Sequence, residues 1–182
     1  RQFRGLVHGF SNHIQNREEA LAHLHVDSLP LHTLTQVHGD GIVTISRSSL
    51  ASNRPEADGL MAIEPGALLG IATADCVPIL LVEPYKGVIA ALHAGWRGTL
   101  KGIAPQAVTL FASAWQVDPQ NLHVALGPSI GRCCYEVGPE VGEAIVSRWN
   151  IQNDSAWRRN GEKGFLDLRA INTLQLAEVG VP

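Results

Sequence analysis

Apolar residues along this chain fall into short runs broken by glycine-rich turns, and only a few stretches carry helical spacing. An apolar run of four to eight residues suits a buried strand, whereas recurrence at three and four residues marks one face of a helix. Leu31 to Val37 and Ile42 to Ile45 therefore predict a hairpin around His38-Gly39-Asp40-Gly41. Leu68 to Thr73 and Val77 to Val82 predict two buried strand pieces bent at Ala74-Asp75-Cys76, because Pro78 has no N–H to give a central ladder. Gly87 to Leu92 and Leu122 to Leu126 predict two more strands, each running into a glycine-rich turn. Residues 3 to 10 read as an edge strand.

Helical signals are fewer. Asn16 is placed as an N-cap with Glu18 and Glu19 in the first turn, opening a helix to about Leu24 that buries Ala20, Leu21 and Leu24. Leu100, Ile103, Ala104, Ala107, Val108, Phe111 and Trp115 form one stripe, and Pro105 requires this helix to start near Gly102 or to kink. Pro139 opens a third helix with Val141, Ala144, Ile145 and Trp149 inward. Asp167 caps a last one over Leu168, Ile171 and Leu174, stopped at Gly180. Arg47 to Glu56 is polar and serine-rich, a surface loop closed by Ala57-Asp58-Gly59, and residues 150 to 164 read as loop. The pattern predicts one α+β domain over residues 1–182, with short strands ending in glycine-rich turns on one face.

Composition narrows the partners. With 45% hydrophobic and 17% charged residues the chain is an ordinary globular sequence. A net charge of -3 without a Lys/Arg cluster offers no field for nucleic acid. No apolar run approaches the ~20 residues that span a bilayer, which predicts a cytoplasmic protein without a membrane partner. Three cysteines, Cys133 and Cys134 adjacent, make a poor disulfide framework and predict reduced thiols. The first residue is Arg1 rather than Met, so the chain reads as processed or cut from a longer one.

Candidate chemistry sits at the strand ends. His93-Ala94-Gly95-Trp96-Arg97-Gly98 reads as strand, turn and helix, leaving a histidine beside a helix start and Arg97 able to fork onto phosphate or carboxylate. Taken alone it is equally a satisfied strand-end histidine. Cys76 and His38 occupy similarly punctuated strand ends, and two imidazoles with a thiolate suit zinc while leaving a fourth position for water. Asp75, a carboxylate at what reads as a core bend, needs a partner or a job, and could move a proton. His23 and His25 point about 200° apart on a helix and cannot share a metal.

Gln36-Val37-His38-Gly39, Ala57-Asp58, Thr73-Ala74-Asp75-Cys76-Val77-Pro78, His93 to Gly98, and Gly127-Pro128-Ser129-Ile130-Gly131 through Tyr135-Glu136-Val137-Gly138 resemble, in order, the YfiH-like family, called a laccase domain or multicopper polyphenol oxidase in older naming. The match runs from about Gly9 to Pro182. The resemblance implies an αββα-type sandwich of mixed β-sheets flanked by helices. It implies zinc on His38, Cys76 and His93, with copper able to take the same site. It also implies phosphorolysis of adenosine, inosine and methylthioadenosine together with adenosine deamination, so that purine nucleosides and phosphate are the expected partners. Cys76 and Asp75 are the expected catalytic residues, and Arg97 and Gln36 the substrate-binding ones; a monomer or homodimer is expected. The family's Arg-x-Gly-Gly-x-Ser segment, its longer insertion after the early Gly-Phe-Ser, and its C-terminal Cys-Thr and Phe-Ser-x-Arg-Arg motifs do not occur here.

Three other readings compete. A multicopper oxidase needs paired H-x-H motifs feeding a copper cluster, which eight histidines with one badly placed pair do not supply. A cysteine hydrolase or deamidase would use Cys76 as nucleophile and His93 as base. A metal-binding domain left inactive by the missing segments would hold zinc without turnover.

Overall fold

The computed structural model describes residues 5–11, 17–46, 48–49, 51–151 and 156–182. Its centre is a five-stranded sheet built from β2 (Ile42–Ile45), β3 (Gly59–Ala62), β5 (Val77–Glu83), β6 (Val88–Ala94) and β7 (His123–Leu126), in the order β2-β3-β6-β5-β7. β2 runs parallel to β3, and the remaining pairs are antiparallel. β5 and β6 are almost wholly buried, which is why they read as continuous apolar runs rather than alternating ones.

The two sheet faces carry two cores. On one, Val77, Ile79, Leu81, Val88 and Leu92 pack against α3 (Ile103–Trp115) and α5 (Leu168–Glu178), with Phe111 and Ile171 fully buried. Each such large side chain contributes about 1.5–3 kcal/mol. The other face gathers Leu34, Ile45, Ala57, Leu60 and Ala62 beneath a two-stranded parallel pair, β1 (Leu31–His32) and β4 (Leu68–Leu69). A three-stranded sheet of β8 (Glu136–Val137), β10 (Lys163–Leu166) and β9 (Trp157–Asn160) flanks α4 (Pro139–Arg148). The class is the expected mixed α+β one.

Helix boundaries follow the chemistry. α2 (Trp96–Lys101) ends at Gly102, whose φ of +85° turns the chain left-handed and lets its N–H reach the carbonyls of Gly98 and Thr99. α3 restarts immediately, so Pro105 falls in its first turn, where its missing N–H costs nothing. Asp167 caps α5 as expected, its carboxylate accepting from Ala170 N–H at 2.9 Å, and Gly180 leaves the helix with φ +87°.

Several expectations fail. The hairpin around His38 does not exist: β1 pairs parallel with β4, and β2 pairs parallel with β3. Residues 5–11 carry no strand, and residues 3 and 4 of the expected edge strand lie outside the described residues, as does the Asn16 cap of α1 (Arg17–His23). Only Leu68–Leu69 of the Leu68 to Thr73 run is strand. The expected loop from 150 to 164 contains β9 and the start of β10, where Gly161 at φ +64° closes a hairpin. Leu174 and Ala144 face solvent.

Candidate metal centre

His38, Cys76 and His93 come from three separate pieces of chain and converge. Cys76 immediately precedes β5, His93 sits near the end of β6, and the two strands place Pro78 opposite His93. His38 lies in the loop before β2, with φ +58°, a left-handed conformation that a non-glycine residue adopts only when its surroundings hold it there. One ligand atom from each residue lies within 4.8 Å of the other two. The His38 and His93 rings meet edge-on, centroids 4.9 Å apart at 78°. His93 is buried, Cys76 half-buried and His38 exposed, so the cluster opens to solvent on one side.

The hub of the site is Asp58, which is 0% exposed. Its carboxylate accepts from His93 Nδ1 at 2.7 Å and from the backbone N–H groups of Val37, His38 and Gly39 at 3.3, 3.0 and 2.6 Å. Its carbonyl accepts from His93 N–H at 2.7 Å. One buried carboxylate thus orients one histidine directly and holds the loop that carries the other. With Nδ1 donating to Asp58, Nε2 is left as the lone-pair nitrogen of His93, the arrangement usual for a histidine that ligates a metal with a carboxylate behind it. Burial alone would raise the Asp58 pKa, but the His93 hydrogen bond, the backbone donors and the His93 charge outweigh it and pull it below the ordinary aspartate range.

Two glycines make the convergence possible. A Cβ on Gly95 would stand 3.0 Å from Cys76 Sγ, 3.4 Å from His38 Cδ2 and 3.9 Å from His93 Cε1, so the missing side chain borders the space among the ligands. A Cβ on Gly98 would stand 2.7 Å from the Gly39 carbonyl oxygen, so α2 docks on the His38 loop only without one. Burial, then the charges of Asp75 and Asp58, push the Cys76 thiol up.

The remaining expected residues lie around this core. Asp75 is exposed beside Cys76, not at a core bend, and its carbonyl accepts from Ile130 N–H at 3.0 Å. Arg97 is exposed, its guanidinium stacked 4.3 Å from the Trp96 ring centroid. Gln36 spends both ends of its amide on Ala72, donating to its carbonyl at 2.8 Å and accepting from its N–H at 2.9 Å. Tyr135 stood in a motif without a role, yet burial and the charges of Cys76 and Asp75 raise its hydroxyl while Arg97 lowers it, so it flanks the same space.

Residues 11–182 match the family model described as multi-copper polyphenol oxidoreductase laccase. The chain belongs to this family. The laccase-family chain is 39% identical over 155 residues to purine nucleoside phosphorylase YlmD of Geobacillus stearothermophilus, covering 81% of this chain and 57% of the relative. It is 35% identical over 167 residues to purine nucleoside phosphorylase YfiH of Escherichia coli, covering 92% of this chain and 65% of the relative. Adenosine deaminase RL5 of an unknown prokaryotic organism is 42% identical over 127 residues, with 69% of this chain and 48% of that protein covered. The crystal structure of Geobacillus stearothermophilus YlmD superposes with a TM-score of 0.85 at 36% identity, covering 92% of this chain and 65% of that one. The chain therefore spans about half to two thirds of the length of these relatives. Among the described residues no helix is long and apolar enough to cross a membrane.

Proposed function

We propose that this chain carries the metal site of a purine nucleoside enzyme, with zinc held by His38, Cys76 and His93. Its reactions are phosphorolysis of adenosine, inosine and methylthioadenosine, and hydrolytic deamination of adenosine. The observation that carries the reading is the convergence of two imidazoles and a thiol within 4.8 Å, one imidazole fixed by a buried carboxylate. That donor set fits a borderline-soft ion with an open fourth position, and copper can compete for it. The relatives' names supply the substrate class.

Zinc bound there supplies Lewis acidity that activates water or polarises a substrate oxygen near neutral pH. The protein's own groups do the rest. Asp58 keeps His93 in the ligating tautomer. Asp75, exposed beside Cys76, is placed to accept and return a proton. Arg97 offers a planar fork to phosphate, already steadied over Trp96. Gln36 contributes by tying residue 72, at the start of the loop to Cys76, to the His38 loop.

Cys76 as a free nucleophile is the weaker reading, because its thiol is pushed up where a nucleophile needs it pulled down. Elemental analysis of the purified chain and of its His38→Ala and Cys76→Ala variants, followed by adenosine with and without phosphate, tests the proposal. About one zinc per chain, lost in both variants, with inosine, adenine or hypoxanthine formed, supports it. Zinc without product leaves a binding domain, and a metal-free, rapidly alkylated Cys76 overturns the site.

A further inference from the structure

Cys133 and Cys134 have no part in the chemistry proposed above. Both are exposed, and their Sγ atoms lie 2.9 Å apart. A tight turn holds them there: the N–H groups of Cys134 and Tyr135 both donate to the Gly131 carbonyl, at 3.0 and 3.1 Å, and Glu136 N–H donates to the Cys134 carbonyl at 3.2 Å. The turn therefore presents both thiols to solvent already facing each other. Cys76, half-buried between the two histidines, stands in a different environment.

Adjacent residues have Cα atoms about 3.8 Å apart, short of the roughly 4.4–6.8 Å that relaxed disulfides span. A bond between them is strained, and strained, exposed disulfides are the readily reduced ones. Such a pair is not a structural staple. Both thiols are free, as the sequence predicts.

We propose that Cys133 and Cys134 form a two-electron redox centre that closes reversibly to a vicinal disulfide by exchange with a low-molecular-weight disulfide such as oxidised glutathione. One thiolate attacks the reagent, releasing one glutathione thiol and leaving a mixed disulfide. The neighbouring thiolate then displaces the second glutathione. Two S–H bonds and one S–S bond are consumed; one protein S–S bond and two glutathione thiols form. The protein pair is oxidised and the glutathione disulfide reduced.

The full chain, equilibrated across reduced-to-oxidised glutathione ratios, alkylated and digested, tests this by mass spectrometry. The expected result is a peptide that carries two alkyl groups at the reducing end. At the oxidising end it carries none and is about two mass units lighter than the unlabelled dithiol, a change that dithiothreitol reverses. Cys133→Ser is expected to stop at a single glutathione adduct on Cys134. Both thiols alkylated at every ratio, separate adducts on both, or disulfide-linked dimers would overturn the proposal. The readout is independent of nucleoside turnover.

Discussion

Asp58 and His93 form a buried pair, carboxylate oxygen to Nδ1 at 2.7 Å, and the same carboxylate collects three backbone N–H groups from the loop that carries His38. The pair couples the geometry of two ligands to one charge. Losing that charge should loosen both ligands together.

Asp58→Asn retains the volume but supplies one acceptor oxygen and an NH2 group where three N–H donors and His93 need acceptors. Zinc affinity should fall about 10- to 100-fold, as for other partners standing behind a metal ligand. Chelator competition measures it. Asp58→Ala should also cost about 3–5 kcal/mol of stability in denaturant titrations of the metal-free chain, since it strands buried donors.

The same residue sets an acid limit. Its folded pKa is lowered below the unfolded value by His93 and the backbone donors, against the opposing effect of burial. A depressed aspartate contributes stability that is fully present above its unfolded pKa and is lost as pH falls through the folded one. Thermal melts of the metal-free chain should therefore lose stability below the ordinary aspartate range. Asp58→Asn should flatten that acid limb; an unchanged limb would assign it to other carboxylates.

Gly95→Ala separates folding from metal binding. Gly95 has φ -75° and ψ 174°, which alanine adopts freely, yet its Cβ would press on Cys76 Sγ at 3.0 Å and fill space beside the His38 and His93 rings. The variant should melt within a few degrees of the parent while its zinc content drops. Equal zinc with a collapsed Tm would show that Gly95 serves packing instead.

Metal binding through Cys76 should depend on pH. Burial, then Asp75 and Asp58, hold the proton on its thiol, and a bound metal must displace it. Below the thiol pKa and above the histidine range, zinc affinity should rise about tenfold per pH unit, one proton being released. Asp75→Asn removes one of the opposing charges. It should speed alkylation of Cys76 in metal-free protein, and an unchanged rate would mean that burial and Asp58 set the thiol without Asp75.

The three residues that converge, His38, Cys76 and His93, were legible because each stands at a punctuated end of an apolar run, but the sequence carries no trace of what orients them. A carboxylate in an apolar setting needs a partner, and the one so placed is not Asp75, which is exposed, but Asp58, between Ala57 and the fully buried strand Gly59–Ala62. That strand was missed for a related reason: four residues entering a parallel pair with β2 show no alternation, and parallel partners are not neighbours in sequence. The β9–β10 hairpin did leave a sign in Gly161, which at φ +64° opens the two-residue turn Gly161-Glu162 between the paired Asn160 and Lys163. The polar run Arg158, Arg159, Asn160 outweighed it because those side chains face solvent.

That hairpin supplies the last prediction. Trp157 lies between Gly142 of α4 and Gly164 of β10, and a Cβ on either glycine would stand 2.3 Å from the indole ring. The ring is packed where only hydrogen fits on both sides, so it locks the small sheet onto α4. Gly164→Ala should cost about 1–3 kcal/mol as the indole is driven off its rotamer. The candidate metal centre stands on other elements, so any zinc stoichiometry should remain at the parent value at temperatures below the lowered Tm. Denaturant titration followed by tryptophan fluorescence, with zinc analysis on the same sample, separates the two effects; loss of zinc at full foldedness would mean that the small sheet also supports the site.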